Sequence, residues 1–303
     1  MQEIYPKYDI YHLNADKISN ELFNIDRFKT YLANNPHLSE THGHLYYHLV
    51  YFTKGKGKHR IDFKEFEIKD HSMYLMRPNQ VHQWDFVGEV DGYVINFYDE
   101  FLDWQNINSI ILRKFSFFNT LKIEDQVLYF DQESFKTIES IFEELINIKK
   151  ENKTHAMLSL ATLLIQLFIC VDANSKTQEN NKNNSNLQHQ HHQIILNFNN
   201  LLEKHFKELK LPKDYANKLN ITPTQLNIIT KEVYGESAGN IIRNRIILEA
   251  KRLLINFDLT VNEIAYQLNF QDVSYFIKFF KKYTNSTPEV FRHSHFENKK
   301  STI

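Results

Sequence analysis

Hydrophobic and polar positions change rhythm along the chain. From about Tyr46 to Phe97, short runs rich in Tyr, Phe, Val and Ile alternate with turn signals. Examples are "YYHLVYFTKGKGKHRIDFKEFEI", with its Gly55-Lys-Gly57 turn, and "SMYLMRPNQVHQWDF". Aromatic and β-branched residues suit a pleated, half-buried surface, so antiparallel strands are expected here. From Ser134 to Val171 the period becomes helical, with Phe135, Ile138, Ile141, Phe142, Leu145 and Ile148 at spacings of three and four. "KENK", Lys150 to Lys153, breaks that stripe before a second helix expected from near Thr154. Lys176 to Gln193, "KTQENNKNNSNLQHQHHQ", has no apolar periodicity and cannot offset its ordering entropy by burial. It reads as a solvated linker whose His189, His191 and His192 bind metal only adventitiously.

Beyond the linker the pattern is helical throughout. In "YANKLNITPTQLNIITKEVYG" a short helix, Lys213 to Leu219, stops at Asn220-Ile221. Thr222 then caps a second helix, with Pro223 at its first position and Gln225 three after the cap. Leu226, Ile229 and Val233 share one face and are expected in the core. Thr224, Ile228 and Lys231 point the other way, with Asn227 at the flank. The plan recurs about 50 residues later in "LTVNEIAYQLNFQDVSYFIKFFKKY". There Thr260 and Glu263 form a capping box, and Val261, Ile264, Ala265 and Leu268 make the apolar stripe. Asn269-Phe270 turns the chain, and Asp272 caps a helix with Phe276, Phe279, Phe280 and Tyr283 on one face. Ser274, Lys278 and Lys281 lie opposite, beside Ile277. Two helix-turn-helix units with polar or basic outer faces suit two successive major grooves. Lysines neutralise phosphates and short side chains reach base edges, while an outward Ile228 suits a thymine methyl.

Composition narrows the picture. The 303 residues are enough for two domains, and 42% hydrophobic with 24% charged residues is a soluble, globular profile. A single cysteine, Cys170, excludes an internal disulfide framework and fits a reducing, cytoplasmic setting. "MQEIYPKYDI" lacks a secretory pattern. The most apolar run, Ala156 to Val171, falls short of the ~20 residues of a membrane span and is expected to be a buried helix, with no membrane partner. The net charge of −1 hides an asymmetry. From Lys210 onward 14 Lys and Arg stand against 9 Asp and Glu, a balance of +5, whereas the rest has 22 against 28, or −6. A basic end on an acidic body suits a polyanionic partner.

The last ~90 residues resemble the arabinose-operon regulator (AraC/XylS) family of bacterial transcription regulators. The likeness lies in "YANKLNITPTQL", "YGESAGNIIRNRIILEAKRLL", "IAYQLNFQDVSYFIKFFKKY" and "STPEVFR". It implies that Arg245, Ala250, Leu253 and Leu254 lie on a long helix connecting the two units. The DNA-facing positions are then Thr224, Asn227, Ile228 and Lys231 in the first unit, and Ser274, Ile277, Lys278 and Lys281 in the second. The sequence departs from the family pattern at Asn269, where glycine is usual, at Thr230, where phenylalanine is usual, and at Asn285-Ser286, where glycine is common.

"HGHLYYH", His42 to His48, and His82 in "RPNQVH" carry the candidate chemistry of the N-terminal half. That half resembles the cupin-type effector barrel often found in the same family. Metal-binding cupins imply His42, His44 and His82 as ligands, with His48 where glutamate is common; His71 and Asn79 replace glycines of the second motif. Even-numbered residues share a strand face, yet His42 and His48 on a straight strand would sit roughly 20 Å apart, so one ion needs a bulge or bend. The expected site is therefore an organic-effector pocket of His42, His44, Tyr46, His48, His82 and Trp84. A metal site at His42, His44, His48 and His82, and histidines with only a structural or vestigial role, are the alternatives, and no cofactor is expected.

The expected architecture is a two-domain α+β chain. A cupin-like β barrel with a helical dimerisation segment occupies residues 1–172, a linker 173–193, and an all-α domain with two helix-turn-helix units 194–297. The expected function is a sequence-specific DNA-binding regulator, an activator and not an enzyme, controlled by a small-molecule effector. A homodimer through the helices of Ser134 to Val171, and contact with RNA polymerase, are implied by the resemblance. The competing expectations are a metal-dependent cupin enzyme or metal sensor fused to a helical module, and a protein-interaction module that never touches DNA.

Overall fold

The computed structural model describes residues 7–8, 10, 22–151, 155–177, 186–255 and 259–300. The chain divides into two compact units, residues 6–183 and residues 184–303 with 1–5.

In the first unit β1 (Lys7–Tyr8) and β2 (Phe23–Arg27) lead into helix α1 (Phe28–Asn34). Then follow β3 (His42–His44), β4 (Tyr47–Lys54), β5 (Gly57–Ile61), β6 (Lys64–Ile68), β7 (Ser72–Met76), β8 (Val81–Phe86) and β9 (Asp91–Phe97). Helix α2 (Glu100–Trp104), β10 (Val127–Tyr129) and the helices α3 (Gln132–Glu151) and α4 (Ala156–Thr177) complete it. The strands form two sheets, ordered β1-β3-β8-β5-β6 and β10-β7-β4-β9-β2.

Alternation along β4 explains the layering. Leu49 and Tyr51 join a core with α3 and α4, whereas Val50 and Phe52 join Ile61, Ile68 and Trp84 of the opposite sheet. Both faces of the second sheet are thus buried, and the space between the sheets is a closed aromatic interior. The apolar stripe of α3 serves this packing: Ile138, Ile141, Phe142 and Leu145 are buried within their own chain. It is not the open dimer surface expected of it. Helix α4 runs past the expected end at Val171 to Thr177, and its stretch Ala156–Asn174 is long and apolar enough to cross a membrane by length and composition. Leu160, Leu164, Leu167, Phe168 and Val171 of that stretch are buried in the same core as the sheet.

The Gly55-Lys-Gly57 turn does not close a hairpin, because β4 and β5 belong to different sheets. The hairpin is β5–β6, joined by Asp62 and Phe63, both left-handed at φ 48° and 87°, which matches the right-handed twist of paired strands. Gly57 is needed where the chain changes sheets, since a Cβ there would stand 2.2 Å from the Asp85 carbonyl oxygen. His71 and Asn79 take left-handed backbone at φ 59° and 67°, the conformation that favours glycine.

The second unit holds α5 (Asn186–His205), α6 (Pro212–Lys218), α7 (Pro223–Tyr234), α8 (Ala238–Leu254), α9 (Val261–Gln267), α10 (Val273–Thr284) and α11 (Pro288–Lys300). The stretch expected to be linker is helical at both ends, and only residues 178–185 of it lie outside the described residues. So do residues 152–154, where "KENK" ends and the next helix was expected to start. Both capping boxes form, Thr222 with Gln225 and Thr260 with Glu263, and Asp272 accepts from Ser274 N. Asn220 and Asn269 take matching left-handed turns at φ 54° between the helices of each unit, so Asn269 adopts the glycine-like backbone without glycine.

Candidate effector site and nucleic-acid interface

The interior between the sheets gathers five histidines, none more than 1% exposed: His42, His44, His48, His59 and His82. The chain does not run straight through "HGHLYYH". β3 ends at His44 in one sheet and β4 begins at Tyr47 in the other, so His48 returns across the interior. Its ring stacks on His44 with centroids 4.4 Å apart. The separation expected for a straight strand is removed by a change of sheet, not by a bulge.

Pairing does the rest. β8 runs antiparallel to β3 and sets His82 opposite His42. His44 Nε2 lies 3.1 Å from His42 Nε2 and 2.8 Å from His82 Nε2. His42 Nδ1 donates to the Glu40 carbonyl at 2.7 Å, which leaves its Nε2 as a lone pair pointing inward. His82 Nδ1 meets His59 Nε2 at 3.0 Å, and His48 Nδ1 meets Asn96 Oδ1 at 2.6 Å. His44 Nδ1, His48 Nε2 and His59 Nδ1 are buried with no hydrogen-bond partner. Burial pushes His42 down to about 4 and His48 to about 3. Burial and the neighbouring imidazoles hold His44, His59 and His82 well below the usual histidine range. All five are neutral near pH 7, as a metal ligand or an acceptor of a ligand hydroxyl must be.

The six positions expected to line an effector pocket are brought together. Tyr46 lies 4.6 Å from His44 and Trp84 4.7 Å from His82, ring centre to ring centre. They fill the interior by touching one another. Of the four candidate metal ligands, His42, His44 and His82 converge, while His48 turns its Nδ1 to Asn96. Sequence reasoning passed over His59, between Lys58 and Arg60. Its signal was alternation, since Gly57, His59 and Ile61 face opposite to two exposed cations.

In the helical unit, Thr224, Ile228 and Lys231 of α7 are exposed, Ile228 at 57%. Asn227 is half-buried, and its Oδ1 accepts from Ala238 N at 3.0 Å, capping the entry to α8. Val233, expected in the core, is 38% exposed, whereas Thr230 is fully buried and donates to the Asn227 carbonyl. On α10, Ser274, Lys278 and Lys281 are exposed and Ile277 is half-buried. Phe276 and Phe280 make the buried face, while Tyr283 is 40% exposed at its end. Tyr275, 60% exposed, was not anticipated, although its spacing of three and seven from Lys278 and Lys282 places all three on one face. Arg245 on α8 donates its Nε to both Glu203 oxygens of α5, at 3.1 and 3.0 Å, and its Nη1 to Glu249 at 3.0 Å.

Two family models match the chain in order, an AraC-like ligand binding domain over residues 30–168 and a helix-turn-helix domain over residues 215–294. The chain belongs to the AraC family. Its two parts are an N-terminal AraC-like ligand-binding domain and a C-terminal helix-turn-helix domain. The competing expectation of a metal-dependent cupin enzyme or metal sensor fused to a helical module is not favoured by these matches. Among curated relatives, the AraC-family chain is 24% identical over 264 residues to the HTH-type transcriptional regulator YfiF of Bacillus subtilis, covering 83% of this chain and 78% of that one. It is 35% identical over 77 residues to the "Probable transcription factor PqrA" of Proteus vulgaris. That match covers 25% of this chain and 63% of the relative, less than two thirds of its length. Among solved structures, ToxT of Vibrio cholerae is similar at 15% identity, with 89% of this chain and 97% of that chain covered and a TM-score of 0.42.

Proposed function

We propose that the chain is a cytoplasmic, sequence-specific activator that reads DNA through α7 and α10 and is controlled by a small ligand held among the barrel histidines. The observation that carries the reading is the repeated unit itself. Two helices, each opened by a side-chain cap, bury one apolar face and turn the opposite, cationic or short-chained face to solvent. Thr224, Ile228 and Lys231 serve the first groove, and Ser274, Tyr275, Lys278 and Lys281 the second. Asn227 acts mainly as a cap. His42, His44, Tyr46, His48, His82 and Trp84, with His59, form the ligand seat. The ligand controls DNA binding to the extent that it favours one arrangement of the chain over another.

The active form is a homodimer that contacts RNA polymerase. Leu158 and Ile169 support the dimer, being exposed at 42% and 58% on the side of α4 away from the core. Pairing two reading units raises effective concentration on paired half-sites. Titrating the full chain against DNA from upstream of its own gene, at several salt concentrations, tests the reading. Lys278→Ala should weaken binding on all sequences and reduce the salt slope by about one. An unchanged slope would remove α10 from the backbone.

A further inference from the structure

We propose that Lys210 is a positioning residue for DNA reading. It ties the chain leading into α6 to the turn between α9 and α10, and so sets the spacing at which α7 and α10 engage one duplex. The inference rests on the reading that those two helices enter successive grooves.

The two ends of the tie belong to different helix-turn-helix units. On the first side, Lys210 stands between the end of α5 and Pro212, which opens α6. The backbone beside it is pinned. Leu209 N donates to the His205 carbonyl at 2.8 Å, and Tyr215 Oη of α6 donates to the Leu209 carbonyl at 2.8 Å. Tyr215 is fully buried and packs edge-on against Phe198 of α5. On the second side, Lys210 Nζ donates to the Asn269 carbonyl at 2.6 Å and lies 3.7 Å from the centre of the Phe270 ring. Asn269 makes the left-handed turn between α9 and α10. Phe270 is buried beside it, with ring centres 5.9, 5.2 and 5.3 Å from Tyr275, Phe276 and Phe279 of α10. Whatever holds Phe270 therefore holds the second reading helix.

A surface lysine ordinarily keeps its ammonium in water. Here the side chain is drawn in, and burial pushes the ammonium down to about 8. The carbonyl and the ring face offset the lost hydration, through a charge-assisted hydrogen bond and a cation–π contact. With its ammonium occupied inside the protein, Lys210 braces the reading helices instead of neutralising a phosphate. Helix α8 packs against helices of both units, but two bodies joined through one helix can still turn about it. A second tie that bypasses α8 opposes that turning. DNA registers the turn directly, because one added base pair between two sites rotates the second by roughly 35° and moves it about 3.4 Å.

The test compares the full chain with Lys210→Met, which keeps the apolar stem and removes the charge. The probe is the duplex that the parent enriches from a randomised library, with derivatives one base pair longer or shorter between the two protected elements. The parent should bind the original spacing best. In Lys210→Met that preference should fall by about tenfold, the scale of one hydrogen bond to a charged group. Binding to either element alone, and the salt slope, should stay as in the parent. A folded variant with the parent's preference overturns the proposal. So does a salt slope reduced by about one, which would put Lys210 on a phosphate. Should Lys210→Met fail to fold, Lys210→Gln takes its place. A DNA-free measurement separates this proposal from the reading beneath it. Spin labels on Lys231→Cys of α7 and Lys281→Cys of α10, in a Cys170→Ser background, report the separation of the helices by pulsed electron resonance. A broader distance distribution without the Lys210 ammonium supports the tie, and an unchanged one overturns it. A chain that shows the broadening but binds no DNA loses the reading by α7 and α10 and keeps the tie. One that binds DNA with spacing preference and distances unchanged loses only the tie.

Discussion

Asn227 shows how a residue's role depends on what its polar atoms already do. Its position beside Ile228 suggests a base reader, yet its Oδ1 is occupied by Ala238 N. Asn227→Ala should therefore cost about 1 kcal/mol of stability, as cap removal does, whereas Asn227→Asp retains the acceptor and most of that stability. Urea unfolding of both variants reads the difference; equal losses would mean that the cap does not matter. Ile228 is the reverse case. At 57% exposure it contributes little to the fold, so Ile228→Ser should shift stability by less than about 0.5 kcal/mol. Its binding to specific DNA should fall while binding to random sequence is unchanged, and competition binding against random DNA would expose the opposite. Much at this scale was legible in the sequence. The outward Thr224, Ile228, Ser274 and Lys278 follow from helical spacing, and Asn269 follows from its tolerance of left-handed backbone. Asn227's partner was not, because Ala238 lies eleven residues on and meets it only after the chain turns through Gly235.

At the scale of elements, helices declared themselves better than strands. Caps are local, so Thr222, Thr260 and Asp272 could be read before any packing was known. The break between His44 and Tyr47 has no glycine or proline to mark it. It exists because β3 pairs with β8 while β4 pairs with β7 and β9, and such partners are fixed only by tertiary contact. The join of α5 to α8 was also invisible, although Arg245 was placed on the long helix. That join contains a mostly buried acid, Glu249, whose pH response follows from its neighbours. Burial pushes the Glu249 carboxyl up, but Arg245 and Arg252 prevail, and its net shift is downward. The folded state thus binds fewer protons than the unfolded state in the carboxylate range. Its stabilising contribution is full above the unfolded value and lost as pH falls through the lowered one. Glu249→Gln should cost about 1–3 kcal/mol near neutrality, with the gap to the parent closing towards pH 3. Denaturant unfolding across that range checks it, and a gap independent of pH would remove Glu249 from the acid response.

For the whole molecule, the layout of a β-rich unit with two long helices followed by an all-helical unit was legible from the changes of hydrophobic period. The use of the α3 stripe was not, since an amphipathic helix looks the same whether it covers its own sheet or a second chain. The barrel histidines, each at most 1% exposed, lie in a closed interior instead of an open cleft. A ligand admitted there must be small or must displace aromatic rings. The helical unit is proposed to read DNA with two helices, α7 and α10. Hydroxyl-radical footprinting of the full chain on DNA upstream of its own gene tests it most directly. Two protected patches on one face of the duplex, about one helical turn apart and fading as salt rises, are expected. Protection of a single groove, or none at the lowest salt, would rule out reading by two helices.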